Sequence, residues 1–140
     1  MVYRKIGDTY LVRMEIGEEI MAALKELCRK EDIRLAEVSA LGATDHAVIG
    51  VYDLERAVYQ PEELNGLMEI ASLTGNVTTM KGETYLHLHA VLADQNHGVH
   101  AGHVNEMRIG LTCEMFVRTL PGEIDRERDE KLGINIWKIL

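Results

Sequence analysis

Proline, cysteine, aromatic residues and positive charge are all scarce in this chain, and each scarcity removes a class of protein. Its 140 residues include two prolines, two cysteines, one tryptophan and one phenylalanine. No Pro-rich, Gln-rich or Gly/Ser-rich tract occurs, and 46% of the residues are hydrophobic, which excludes a disordered chain or a linker array. No internal repeat is present. Cys28 lies in a helical pattern and Cys113 in a strand pattern, with no CxxC partner for either; both read as buried small hydrophobes rather than a disulfide framework. No segment approaches the roughly 18 consecutive apolar residues of a membrane helix, and "MVYRKIGDTYLV" lacks the apolar run of a leader. The expectation is a cytoplasmic protein without a membrane partner. Basic residues number 15 against 23 acidic ones, for a net charge of −8. A free-standing nucleic-acid binder needs a basic stripe to neutralise phosphates, and none is visible. In "GEIDRERDEK" the bases alternate with acids, which reads as a solvated face. The length suits one domain spanning 1–140.

What is present is a strand-rich pattern with one helix. "TYLVRME" alternates with a period of two. From Gly17 to about Glu31, Ile20, Leu24, Leu27 and Cys28 form one stripe, with Glu18 and Glu19 in the first turn and Arg29 and Lys30 in the last, matching the helix dipole. "IRLAEVSALGA" and "TDHAVIGVYD" read as two strands joined by a hairpin or a tight corner around Gly42 to Thr44. "YQPEELNG" reads as a connector with about one helical turn. "LMEIASLTGNV", "TYLHLHAVLAD", "GLTCEMFVRTL" and "INIWKIL" are further strands rich in branched and aliphatic residues. The fold class is α+β: a mainly antiparallel or mixed sheet of six to seven strands with one main helix packed on it. A doubly wound parallel sheet is excluded, because it needs a helical crossover for each parallel pair.

Five of the six histidines fall between His87 and His103. His87 and His89 are two residues apart and share one face of their strand, while Leu86, Leu88 and Ala90 share the other. "DQNHG" supplies a turn, and centring it on Asn96 sets His89 opposite His103, where Cβ atoms lie about 5 Å apart. Three imidazoles then converge. His97 falls in the turn and His100 on the opposite face. Three neutral imidazoles with no fourth protein ligand match a catalytic-type zinc site with an open position. Exposed histidines on a polar sheet face, or a metal-free acid/base pair, are the alternatives that spacing leaves open. His46 stands alone and reads as a surface or core histidine. Glu69, Glu83 and Glu114 lie on or beside strands near the hairpin, where an acid facing a metal could relay protons. Glu69 is the preferred catalytic candidate, because it interrupts the apolar start of "LMEIASL".

Read together, "SALGATDHAVIGVYD", "LMEIASLTGNV", "LHLHAVLAD" with "AGHV", and "RDEKLGINIW" resemble the plants-and-prokaryotes conserved domain over nearly the whole chain. That resemblance implies a small domain with one sheet and flanking helical structure, assembled as a homotrimer, with a zinc-binding HxH…GGH motif. On this sequence the motif falls on His87, His89 and His103, with Ala101-Gly102-His103 where Gly-Gly-His is usual. The family label of predicted DNA-binding protein is tied in plants to a separate Arg-Gly-Arg-Pro hook, which this chain lacks. The fold is also similar to that of alpha-acetolactate decarboxylase, a metal enzyme with three histidine ligands.

Two functions follow as expectations. One is a zinc-dependent enzyme or binder for a small oxygenated or anionic molecule, in which zinc polarises a carbonyl or a water and Glu69 moves a proton. The other is a regulatory module contacting DNA or protein, with a structural metal.

Overall fold

The computed structural model describes residues 1–139. In chain order the elements are β1 (Val2–Ile6), β2 (Thr9–Glu15), α1 (Ile20–Glu31), β3 (Ala36–Asp53), β4 (Val58–Met80), β5 (Glu83–Ala93), β6 (Val99–Thr119), β7 (Arg126–Asp129) and β8 (Ile134–Trp137). Strands β1 to β6 form one antiparallel sheet in the order β1-β2-β6-β3-β4-β5, and β6 also pairs with β5. That extra pairing closes β6, β3, β4 and β5 into a ring, with β2 and β1 extending from it. β7 and β8 form a separate two-stranded sheet. The expected α+β architecture is what the chain adopts, with one helix, six strands in the main sheet and two more in a small separate one.

Three strands are long, at 18 residues for β3, 23 for β4 and 21 for β6, and a ring requires them to bend. Register shifts between Ala40 and Gly42, between Thr44 and His46, and between Ile70 and Ser72 supply the bends, since each extra residue kinks a strand and increases its twist. The corner expected at Gly42 to Thr44 is therefore a pair of bulges inside one strand, and not a hairpin. The "YQPEELNG" segment is also strand, the first part of β4, with Pro61 opposite Gly50. There β4 pairs with β3 alone, so an edge is open on which the missing proline N–H breaks no ladder. β1 went unforeseen because only Ile6, Tyr3 and Val2 are apolar in it and it lies at the edge of the sheet, where burial leaves little pattern.

The helix begins one turn later than its charges suggested. Glu19 is the N-cap, its carboxylate accepting from the Met21 N–H at 3.0 Å and the Ala22 N–H at 2.7 Å. The same carboxylate accepts from the Met107 N–H of β6 at 3.2 Å, so one side chain both caps α1 and fastens it to the sheet. Arg29 and Lys30 do occupy the last turn, and Asp32 ends the helix in the left-handed conformation. Ile20, Leu24, Leu27 and Cys28 are buried, as their spacing required. No helix is long and apolar enough to cross a membrane among the described residues.

The alternation of β5 decides which side of the ring carries chemistry. Leu86, Leu88, Ala90 and Leu92 are buried in the core with Leu73, Val77, Ile49 and Val104, which leaves the odd-numbered residues of β5 on the outside. The interior is tight where β4 and β5 pair. A Cβ on Gly75 would overlap the His87 carbonyl oxygen and the Leu88 Cα, both backbone and unable to rotate away. Gly75→Ala is expected to lower stability by about 1–3 kcal/mol, the usual cost of overpacking a filled core; a urea denaturation midpoint equal to that of the parent chain would contradict this account of the site.

Candidate metal centre

Tyr85, His87 and His89 follow one another on the outer face of β5, and the turn after β5 determines what faces them. Asp94 accepts from the Asn96 and Gly98 N–H groups through Oδ1, both at 2.8 Å, and the Asp94 N–H bonds the Gly98 carbonyl at 2.9 Å. His97 takes the left-handed conformation at the tip, with φ 63°, a backbone geometry that costs histidine less than a branched residue. The register runs without a bulge from Ala93↔Val99 to His89↔His103. His103 also pairs with Gly50 of β3, so it stands where β5, β6 and β3 meet. Gly102 permits that meeting: a Cβ there would come within 2.7 Å of the Gly50 carbonyl oxygen.

The three imidazoles are gathered. Ring centroids are 5.1 Å apart for His87 and His89, 5.3 Å for His87 and His103, and 5.5 Å for His89 and His103. His87 Nε2 lies 3.2 Å from His89 Nε2, and one nitrogen from each ring falls within 4.8 Å of the others. Two nitrogens bound to one tetrahedral zinc at ordinary bond lengths stand about 3.3 Å apart, so the set fits an ion with little movement. His103 Nδ1 is a buried side-chain nitrogen with no hydrogen-bond partner among the described residues, a costly state for a polar group unless an ion or water completes it.

The rest of the site was not foreseen. From β4, Asn76 stands opposite His87 and Thr74 opposite His89. The Tyr59 ring lies 5.1 Å from that of His103 and is itself packed edge-on against Tyr52. Arg126, at the start of β7, is buried. Its Nε donates to Thr78 Oγ1 at 2.8 Å, Nη2 to Asn76 Oδ1 at 2.9 Å and Nη1 to the Asn135 carbonyl at 3.0 Å, and its guanidinium lies 4.5 Å over the Tyr85 ring. The solvated reading of "GEIDRERDEK" therefore fails at Arg126. A period of two was available as a signal, since Thr74, Asn76 and Thr78 alternate on one strand as Tyr85, His87 and His89 do on the other. Which polar face meets which arginine is a tertiary matter.

None of the expected acids reaches the histidines within one chain. Glu69 is exposed and pairs with Ala93, four residues along β5 from His89 and so roughly 13 Å away at the rise of a strand. Its apolar neighbours, Met68 and Ile70, reflect alternation into the core rather than a special role for the acid between them. Glu83 is four residues on the other side of His87, and Glu114 pairs with Leu41 and Arg13. The other histidines are placed elsewhere. His46 contacts Asn65 and Glu106, and His100 lies 3.3 Å from Asp94 and 3.4 Å from Glu62.

Burial pushes His87 down to about 4, aided by the positive charge of Arg126 and the neighbouring rings. His103 is lowered by burial as well, then by His89 and Arg126. Both are neutral at pH 7, the form that binds metal. In the unfolded chain these rings take up protons near pH 6.5, before the folded chain does, so the stability they permit is complete above that pH and lost as pH falls toward 4. Metal-free protein is expected to show a falling urea midpoint between pH 6.5 and 4, with a shallower fall in His87→Asn. Equal slopes for the two proteins would remove His87 as the cause.

Known structures share this arrangement of strands. A protein from Bacteroides thetaiotaomicron, described as a candidate DNA binder, is 28% identical with a TM-score of 0.94, over 98% of this chain and 96% of that one. A metal-containing protein from Archaeoglobus fulgidus is 34% identical with a TM-score of 0.88, over 98% of each chain. A Staphylococcus aureus protein of unknown function, similar to alpha-acetolactate decarboxylase, is 13% identical with a TM-score of 0.57, over 84% of this chain and 54% of that one, a likeness of fold alone. No curated protein matches the chain. Residues 1–121 match the model of the Plants and Prokaryotes Conserved (PCC) domain, and the chain belongs to that family.

Proposed function

We propose that this chain is a homotrimeric zinc-binding domain whose centre, His87, His89 and His103, takes a small oxygenated molecule at an open position. The observation that carries the reading is the gathering of three imidazole nitrogens on one outer face, all within 4.8 Å of one another, with the Nε2 atoms of His87 and His89 3.2 Å apart. A zinc ion bound there supplies Lewis acidity toward an oxygen of the ligand. The chain's own contribution is to hold His87 and His103 neutral by burial and to wall the centre with Tyr59, Asn76 and Tyr85. The metal-containing relative from Archaeoglobus fulgidus supports the same reading.

The alternative, contact with DNA, draws on the description of the Bacteroides thetaiotaomicron relative. Charge argues against it, since a net −8 opposes the approach of a phosphate backbone. Self-assembly has its own support. Leu41 and Phe116 are more than half exposed on the outer face of β3 and β6, and Phe116 stands opposite Leu11 of β2. An apolar surface of this kind on a sheet is ordinarily covered by a partner.

Elemental analysis is expected to find about one zinc per chain in purified protein, and almost none in His87→Ala or His103→Ala with circular dichroism unchanged. Metal retained by both variants, or absent from the parent chain after zinc reconstitution, would end the reading. Sedimentation equilibrium is expected to give three times the 15.8 kDa chain mass; a monomer at micromolar concentration would remove the trimer.

A further inference from the structure

Among the described residues, the buried arginine beside the histidines has no counter-charge. Among the described residues no carboxylate lies within ion-pair distance of Arg126, although the other ion pairs of arginine in this chain, at Arg13, Arg29, Arg34, Arg56, Arg108 and Arg118, lie at the surface and each has an acid. Its three partners, Thr78, Asn76 and the Asn135 carbonyl, are neutral, which leaves two of the five guanidinium N–H bonds without an acceptor among the described residues. A guanidinium cannot shed its proton to relieve burial. Removing such a charge from water without an anion is costly, and a hydrogen-bonding role alone would be met by a neutral amide.

Its position gives the charge a direction. Asn76, which accepts from Nη2, is the residue directly opposite His87, and Tyr85, under the guanidinium, lies two residues before His87 on the same face. The cation therefore sits on the next rung of the sheet from the metal histidines. Arg126 also lies beyond residue 121, where the family match stops, so the cation comes from the C-terminal sheet of β7 and β8 rather than from the matched segment. With three neutral imidazoles, a divalent ion and a fixed guanidinium would together leave a strongly positive centre, to which no described side chain contributes a negative charge.

We propose that Arg126 is a specificity-determining residue that makes the metal centre select small oxyanions, carboxylate or phosphate, over neutral oxygen ligands. The inference rests on the zinc-centre reading above. In it the positive charge weakens the hold on the ion and strengthens the hold on the anion, so its removal moves the two affinities in opposite directions. A purely structural arginine, tying β7 to β4, would move them together.

Zinc affinity by competition with a chelator, and binding of acetate and of inorganic phosphate to Co²⁺-loaded protein by visible absorption, test this on the full chain. In Arg126→Gln, zinc is expected to bind several-fold tighter, while the oxyanion that perturbs the parent spectrum binds roughly tenfold more weakly, as expected for loss of one charge in a poorly solvated site. Arg126→Lys keeps the charge but not the fork and is expected to retain most of the anion affinity. Parallel loss of both affinities, or equal behaviour of the Lys and Gln variants, would overturn the proposal. So would a parent spectrum that neither anion perturbs. A parent chain that takes up no metal would instead sink the zinc reading, which separates the two failures.

Discussion

The pairing of β5 with β6 is the contact on which both the fold and the site depend. Five rungs, from Ala93↔Val99 to His89↔His103, close the ring of strands and carry the third imidazole to the other two. The turn that starts this pairing is held by a single carboxylate, Asp94, accepting two backbone N–H bonds. Because side chains alternate at every residue, a slip of one position would send His103 to the core face and an apolar residue outward. The buried set of Leu86, Leu88, Ala90 and Leu92 forbids that slip, so hydrophobic burial enforces the register that the histidines need.

Closure also explains why glycines gather near the site. A ring of four bent strands leaves little interior space, and Gly75 and Gly102 stand where a Cβ would run into a neighbouring backbone. Gly102 precedes His103 for a spatial reason, since β6 must approach the Gly50 carbonyl to pair with both β3 and β5.

The small β7–β8 sheet has an electrostatic as well as a structural part. Arg126 bonds β4 through Thr78 and Asn76 and bonds β8 through Asn135, while Tyr52 donates to the Leu132 carbonyl at 2.5 Å. These contacts fasten the C-terminal segment beside the histidines and bring a full positive charge with it. The remaining surface is predominantly acidic, so the charge near the site is opposite in sign to the average field of the protein.

Periodicity alone puts His87, His89 and His103 together, as the structure gathers them. The HxH spacing, the polar turn and the sum rule of an antiparallel hairpin are local, and locality is why His87, His89 and His103 could be separated from His97 and His100. The helix stripe and the apolar faces of β5 and β6 were legible for the same reason. Long-range packing decided the rest. Bulges merged two expected strands into β3 because closing the ring demands a bend, and a strand took up Pro61 because an open edge made its missing N–H harmless. Glu69 lost its place because distance along a strand is measured in residues from the pairing partner, which the sequence does not name. Arg126 was hidden among alternating charges that looked solvated. Only the folding of β7 against β4 buried it, because a side chain's exposure is set by what packs over it and not by its neighbours in the chain.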